Sequence, residues 1–187
     1  NPLATVLLFS ELLGQEHDLP ELVRQDLETI TRETERCKKI VSSLLDFARQ
    51  HQVESEQINL NELIQQVVET ESRQPRYQKA KFVLGLDPGL PLIQADPGQL
   101  QAALSNLISN AADAMPEGGR INLRTSPVGR GRVLVEIEDE GVGISREHQD
   151  KIYTPFFTTK PAGKGTGLGL SIVYGIVKMH QGDIWVR

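Results

Sequence analysis

The sequence predicts a chain in two parts: an α-helical hairpin, then an α/β sandwich with helices on one face of a mixed sheet. Three observations carry this reading. Apolar or small residues fall alternately four and three apart from Val23 to Ala48. After about Gln52, short alternating runs interleave with amphipathic ones. Near the C-terminus, Gly163, Gly165, Gly167 and Gly169 stand at every second position, directly before the helix-patterned "LSIVYGIVKMH". The expected domains are 1–52 and 53–187.

The elements follow in order. Leu3, Val6, Ser10 and Leu13 form a short stripe on a first helix that Gly14 ends. "GQEHDLP" reads as the turn, with Asp18 or Leu19 near the cap and Pro20 in the first helical turn. The second helix presents Val23, Leu27, Ile30, Thr34, Cys37, Val41, Leu44 and Ala48, the a/d seam of a coiled coil. One hairpin has little to bury such a seam against, whereas two make a four-helix bundle, so a homodimer is expected. Cys37, the single cysteine, reads as a small buried seam residue rather than a reactive thiol. In the second part, "QINLNELIQQVVET" is a short strand and then an amphipathic helix, and "KFVLGLD" and "LPLIQAD" alternate as strands. "DPGQLQAALSNLISNAADAM" opens with Asp96 as N-cap and Pro97 at the first helical position, and runs to Met115. "RINLRTS" and "RVLVEIED" form an antiparallel pair across the turn "PVGRG". Strands alternating with helices, followed by a hairpin, give the sandwich.

Composition bounds the function. At 187 residues, 39% apolar and 24% charged, the chain is an ordinary globular protein, long enough for one generous domain or a small domain plus an appendage. No run approaches eighteen apolar residues, so no membrane contact is expected. A net charge of −5 disfavours nucleic-acid binding. One cysteine excludes an internal disulfide and a Cys-rich zinc site, and suits a reducing cytoplasmic setting. Opening on "NPL", the sequence reads as part of something longer.

The glycine rhythm raises the question of phosphate. Glycine lets backbone turn tightly or press against a ligand, and a helix N-terminus offers free N–H groups to anionic oxygens. A flexible loop before a helix is the plainer account. Neither the P-loop string nor the dinucleotide fingerprint occurs anywhere in the chain. Asn106 and Asn110 share one helix face, with Asp113 a turn further on. Two such amides suit plain solvent exposure as well as they suit Mg²⁺, which takes one or two protein oxygens plus phosphates and waters. "DEGVGI" sets Asp139 at a strand end, beside Gly141 and Gly143. There the carboxylate can accept from an adenine amino group. "TPFFTTKPAGKG" has the make-up of a mobile lid whose Lys160 and Lys164 can reach phosphates.

Taken together, "NLISNAADA", "DEGVGI", "PFFTTK" and "GKGTGLGL" resemble, in order, the N, G1, F and G2 boxes of sensor histidine kinases. Their ATP-binding domain shares the Bergerat fold with gyrase, the heat-shock chaperone ATPases and mismatch-repair ATPases. The likeness spans essentially the whole chain, because "NPL" resembles the tail of the H-E-x-x-N-P-L box and the hairpin resembles the dimerisation and phosphotransfer domain. The resemblance implies that Asn106 and Asn110 hold Mg²⁺ and that Asp139 binds the adenine amine. Gly141, Gly143 and Ile144 would border the ATP, while Lys160, Lys164, Gly165, Thr166, Gly167, Leu168 and Gly169 would serve its phosphates. It implies transfer of the γ-phosphate to a histidine and then to an aspartate of a response-regulator receiver domain, with Asn1 orienting water for dephosphorylation of that regulator. The acceptor histidine is expected four positions before Asn1. None of His17, His51, His148 or His180 stands in the required context, and the closing Gly-x-Gly-Thr strand is also missing, so both ends read as truncated. Asp113 stands where many relatives carry a basic residue, though a subset resembles this chain. Two rival readings are a regulatory module that binds nucleotide without transferring phosphate, and an ATPase of the chaperone or topoisomerase class. The hairpin disfavours the second, and so does Asn106, since those ATPases usually place a glutamate there and an amide cannot be a general base.

Overall fold

A computed structural model describes residues 2–16, 19–49, 54–129, 131–161 and 165–187. Helices α1 (Pro2–Gly14) and α2 (Glu21–Arg49) form the hairpin. Its closed end is tied by Arg24, whose Nη1 donates to the Gly14 carbonyl at 3.0 Å. This places a cation on the negative end of α1. Thr34 is buried, with Oγ1 donating to the Ile30 carbonyl at 2.7 Å. Cys37, by contrast, is exposed, so its expected burial is not met within one chain. Two helices cover only the stripe between them, and Val23, Ile30 and Val41 likewise stay outside.

The second part begins with β1 (Glu56–Ile58) and α3 (Leu60–Ser72). Asn59 caps α3, accepting from the Asn61 and Glu62 amides. Strands β2 (Ala80–Leu86), β4 (Gly119–Pro127) and β5 (Val133–Asp139) make a three-stranded sheet with β4 central. β2 runs parallel to β4, and β5 antiparallel. The expected single sheet is corrected at one point: β1 pairs with β3 (Ile93–Ala95) in a separate two-stranded sheet. Strands of three residues each satisfy one another and do not extend the main sheet.

α4 (Pro97–Asp113) is the organising element. Asp96 caps it, its Oδ1 accepting from the Gln99 amide at 3.0 Å, and Pro97 occupies the first turn. Leu104, Ile108 and Ala111 join Ile64, Val67, Ile121 and Leu123 in the main core. A different stripe of α4, at Ala103, packs in a second core with Leu168, Ile172, Val173 and Ile176, most of them on α6 (Gly169–Met179). A single-turn helix, α5 (Arg146–Gln149), precedes it. Among the described residues no helix is long and apolar enough to cross a membrane.

Candidate functional site

The third stripe of α4 carries Asn106, Asn110 and Asp113, at four- and three-residue spacing on one face. Both asparagines are half-buried. Asn106 spends its Nδ2 on the Ala102 carbonyl at 2.9 Å, leaving Oδ1 to face outward. What it faces is Gly169, the first residue of α6. A Cβ there would lie 3.0 Å from Asn106 Oδ1 and 3.7 Å from Asn110 Nδ2. The start of α6, with the N–H groups that a first helical turn leaves unpaired, therefore abuts the two amides, and any side chain at Gly169 would fill that space.

The lid segment closes the same corner. Lys160 Nζ donates to Asp113 Oδ2 at 2.6 Å and to Asn110 Oδ1 at 3.2 Å. Gly165 lies against Lys160 and Thr158, where an added Cβ would meet Thr158 Oγ1 at 2.6 Å. Gly167 adopts φ +68° with its α-carbon pressed on the Phe156 main chain, and Phe156 is itself left-handed at φ 67° and exposed. The Thr166 hydroxyl accepts from the Leu168 amide at 3.4 Å. Leu168 stands apart from its neighbours. Its side chain is buried in the second core, and its carbonyl accepts from the Ile172 amide and the Ser171 hydroxyl.

Asp139 ends β5 and is exposed, its Oδ1 accepting from the Gly141 amide at 2.8 Å. Gly141 packs on Ala114, the residue capping α4, where a Cβ would meet that of Ala114 at 2.5 Å. The last turn of α4 thus links the Asp139 loop to the asparagines. Gly143 (φ 71°) has open space beside its α-carbon, and Ile144 is exposed. Asn1 and Lys164 lie outside the described residues, as do His17 and His51. Two recesses of about 250 and 230 Å³ flank α4, one reaching Asp113 and Arg76, the other Asn106, Ser109 and Glu71; neither includes Asp139.

Sequence reasoning missed Arg76, which donates to Ser109 Oγ at 2.7 Å and Asp113 Oδ1 at 3.2 Å. It lies in a three-residue 3-10 turn, Pro75–Tyr77, too short to show a period, and only a carboxylate seven positions past Asn106 hinted at a cation opposite. Glu140 was missed too. Its carboxylate takes the Arg120 amide, Nε and Nη2, holding the residue after Asp139 to the start of β4. His180 is accounted for structurally. Nε2 accepts from the Asp96 amide at 3.0 Å while Nδ1 meets the Ile176 carbonyl at 2.8 Å. An amide can only donate and a carbonyl only accept, so the ring is the Nδ1–H tautomer. His148 meets Ser145 Oγ at 2.9 Å and sets its ring edge against Phe157.

The donor set suits a hard divalent cation held jointly with a phosphorylated ligand. Among the described residues no three His, Cys, Asp or Glu gather around a common point; Mg²⁺ takes as few as one or two protein oxygens when phosphates and water complete its shell, and here Asn106 Oδ1 is open while Asn110 Oδ1 already accepts from Lys160. A nucleotide fits on the same grounds: the space at Gly169 is bounded by a helix start, an ammonium and two amides.

Residues 95–187 match the family of histidine kinase-, DNA gyrase B- and HSP90-like ATPases, and residues 1–53 match the His Kinase A phospho-acceptor domain. Sensor kinase CckA of Brucella abortus (strain 2308) is 35% identical over 201 residues, covering 99% of this chain and 21% of CckA. The catalytic domain of histidine kinase ThkA, in a nucleotide-free form, superposes with a TM-score of 0.63 at 35% identity, over 71% of this chain and 86% of that one. ThkA in complex with the response regulator TrrA gives 0.72 at 30% identity, over 99% and 53%. Full-length ShkA in complex with AMPPNP gives 0.73 at 28%, over 95% and 38%. The chain belongs to the sensor histidine kinases, combining a phospho-acceptor hairpin with an ATPase domain of the gyrase and HSP90 type. It spans 21 to 39% of the length of the first curated relatives it matches.

Proposed function

We propose that this chain is the catalytic core of a sensor histidine kinase. Residues 53–187 bind ATP with Mg²⁺ and deliver its γ-phosphate to a histidine, the one expected ahead of Asn1. Residues 1–52 form the dimerising hairpin that passes the phosphate to a response-regulator aspartate, with Asn1 serving the reverse, dephosphorylating step. The reading rests on one observation above the others: the glycine start of α6 lies against Asn106 and Asn110, with Lys160 on the same amide. The AMPPNP bound by ShkA and the regulator bound by ThkA support it.

In this reading Asn106 would hold the metal through Oδ1, and Asn110 through the remaining lone pair of the Oδ1 that accepts from Lys160. When bound, the metal neutralises phosphate charge. The protein's own work is positioning and electrostatics. Main-chain N–H groups from Gly165 to Gly169, Lys160 and Lys164 donate to phosphate oxygens, and Asp139 accepts from the adenine amine. No carboxylate stands at position 106 to activate water, which favours transfer to an imidazole over hydrolysis.

Radiolabelled ATP tests this on the chain extended ahead of Asn1 by an H-E-x-x segment that supplies the acceptor histidine. Acid-labile, base-stable label is expected, and it should vanish in Asn110→Ala. ATP bound without label would favour the signalling-module reading, and phosphate release without label the ATPase reading.

A further inference from the structure

We propose that Asp113, offset by Arg76, is a positioning residue that aims Lys160 at the phosphates. The proposal rests on the nucleotide-site reading above and goes beyond it in giving this acid and this arginine a role. Asp113 closes α4, one turn beyond Asn110. One of its oxygens takes Lys160 Nζ at 2.6 Å and the other takes Arg76 Nη2 at 3.2 Å. Arg76 is fixed in turn by Ser109 Oγ at 2.7 Å and by the Tyr77 ring, whose centroid lies 4.9 Å from the guanidinium carbon.

The charge count explains why two cations share one acid. An isolated Asp113–Lys160 pair would be neutral and would cancel the charge an anionic ligand needs. With Arg76 added, the cluster keeps one net positive charge while Asp113 still holds the ammonium. The geometry is consistent with that. A lysine ammonium has three donors. One goes to Asp113 and one to Asn110 Oδ1, and the third has no acceptor among the described residues. The stem is fixed as well: the Lys160 amide donates to Thr158 Oγ1 at 3.1 Å, and Gly165 packs on Lys160 Cβ. A flexible four-carbon side chain thereby arrives at the amide face with its rotamers already chosen, which reduces the ordering cost of binding.

A double-mutant cycle on the 187-residue chain separates positioning from a mere structural tie. Calorimetry would compare ATP and adenosine for the wild type, Asp113→Asn, Lys160→Met and the double variant, with thermal melts as the folding control. Lys160→Met and Asp113→Asn should each weaken ATP roughly fivefold, about 1 kcal/mol by the affinity relation. The double variant should be no weaker than Lys160→Met alone, and adenosine affinity should not move. Arg76→Gln should weaken ATP as well, with recovery in Arg76→Lys. Asp113→Asn acting equally in both lysine backgrounds, or tightening ATP, would overturn the proposal. Should ATP binding collapse in Asp139→Asn but not move in Lys160→Met, the nucleotide-site reading stands and this proposal alone fails. Absence of ATP binding by the wild type would remove both.

Discussion

Glu140 shows how much of the site depends on a single side chain. Its three contacts with Arg120, at 2.9, 2.9 and 2.6 Å, all favour the ionised carboxylate. The Arg120 side-chain hydrogen bonds, followed by the Arg120 amide, hold its pKa below the usual carboxylate range. A group whose folded pKa is depressed contributes fully above its unfolded value, and that contribution is lost as pH falls through the lower, folded one. The grip on β4 should therefore persist at neutral pH and release only in acid below the ordinary carboxylate range. Carbon-detected NMR titration should give Glu140 a midpoint below that of an unfolded glutamate, returning toward it in Arg120→Gln. An unshifted midpoint would mean the clasp is absent in solution. Two glycines make a second residue-scale test. Gly143 and Gly167 both have positive φ, but only Gly167 is pressed on a main chain, that of Phe156. Gly143→Ala should cost about 1 kcal/mol, the left-handed penalty for a side chain. Gly167→Ala should cost more in urea unfolding, because the Phe156 backbone must also move. Equal costs would show that the contact is not made. Both glycines and Asp139 were legible from rhythm and strand alternation. Glu140 was not, since its partner lies twenty positions away and nothing in "DEGVGI" sets it apart from a turn residue.

At the level of elements, α4 was readable because its signals are local: Asp96 at the cap, Pro97 behind it, and apolar spacing beyond. Its division of labour among the main core, α6 and the amide face was only half readable, because a stripe of Ala103, Leu107 and Leu100 names no partner. The split into two sheets was unreadable for a similar reason: a three-residue strand has too few positions to specify a neighbour. His180 joins these elements, linking the end of α6 to the amide of Asp96 at the start of α4. Replacing it with Phe keeps ring bulk and removes both polar partners, leaving the part-buried Asp96 N–H unmatched. The expected loss is about 1 to 3 kcal/mol in denaturant unfolding. Nitrogen NMR should show a protonated Nδ1 and a bare Nε2, and the opposite tautomer would rule out the brace as drawn.

For the whole molecule, the hairpin and the α/β part differ in how they are held. The α/β part closes around Ile64, Ile108, Ile121 and Leu123, each with almost no exposure. Among the described side chains of the hairpin, the buried ones are Ser10 and Thr34, small and polar, while Leu8, Phe9, Leu12, Val23, Ile30 and Val41 remain exposed. Two helices bearing that much uncovered apolar surface leave the four-three seam as a self-complementary face on which a second copy would pack. The chain should therefore be dimeric by light scattering at tens of micromolar, roughly where such bundles assemble by mass action. Ile30→Glu should give monomers, since pairing would bury an uncompensated charge. Because Ile30 lies in the hairpin and the nucleotide-site residues, Arg76 included, all lie beyond residue 75, the same variant should bind ATP as the wild type does. A wild-type chain that stays monomeric at those concentrations would overturn the bundle. A dimer untouched by Ile30→Glu would instead place the interface on the exposed leucines and phenylalanine of α1.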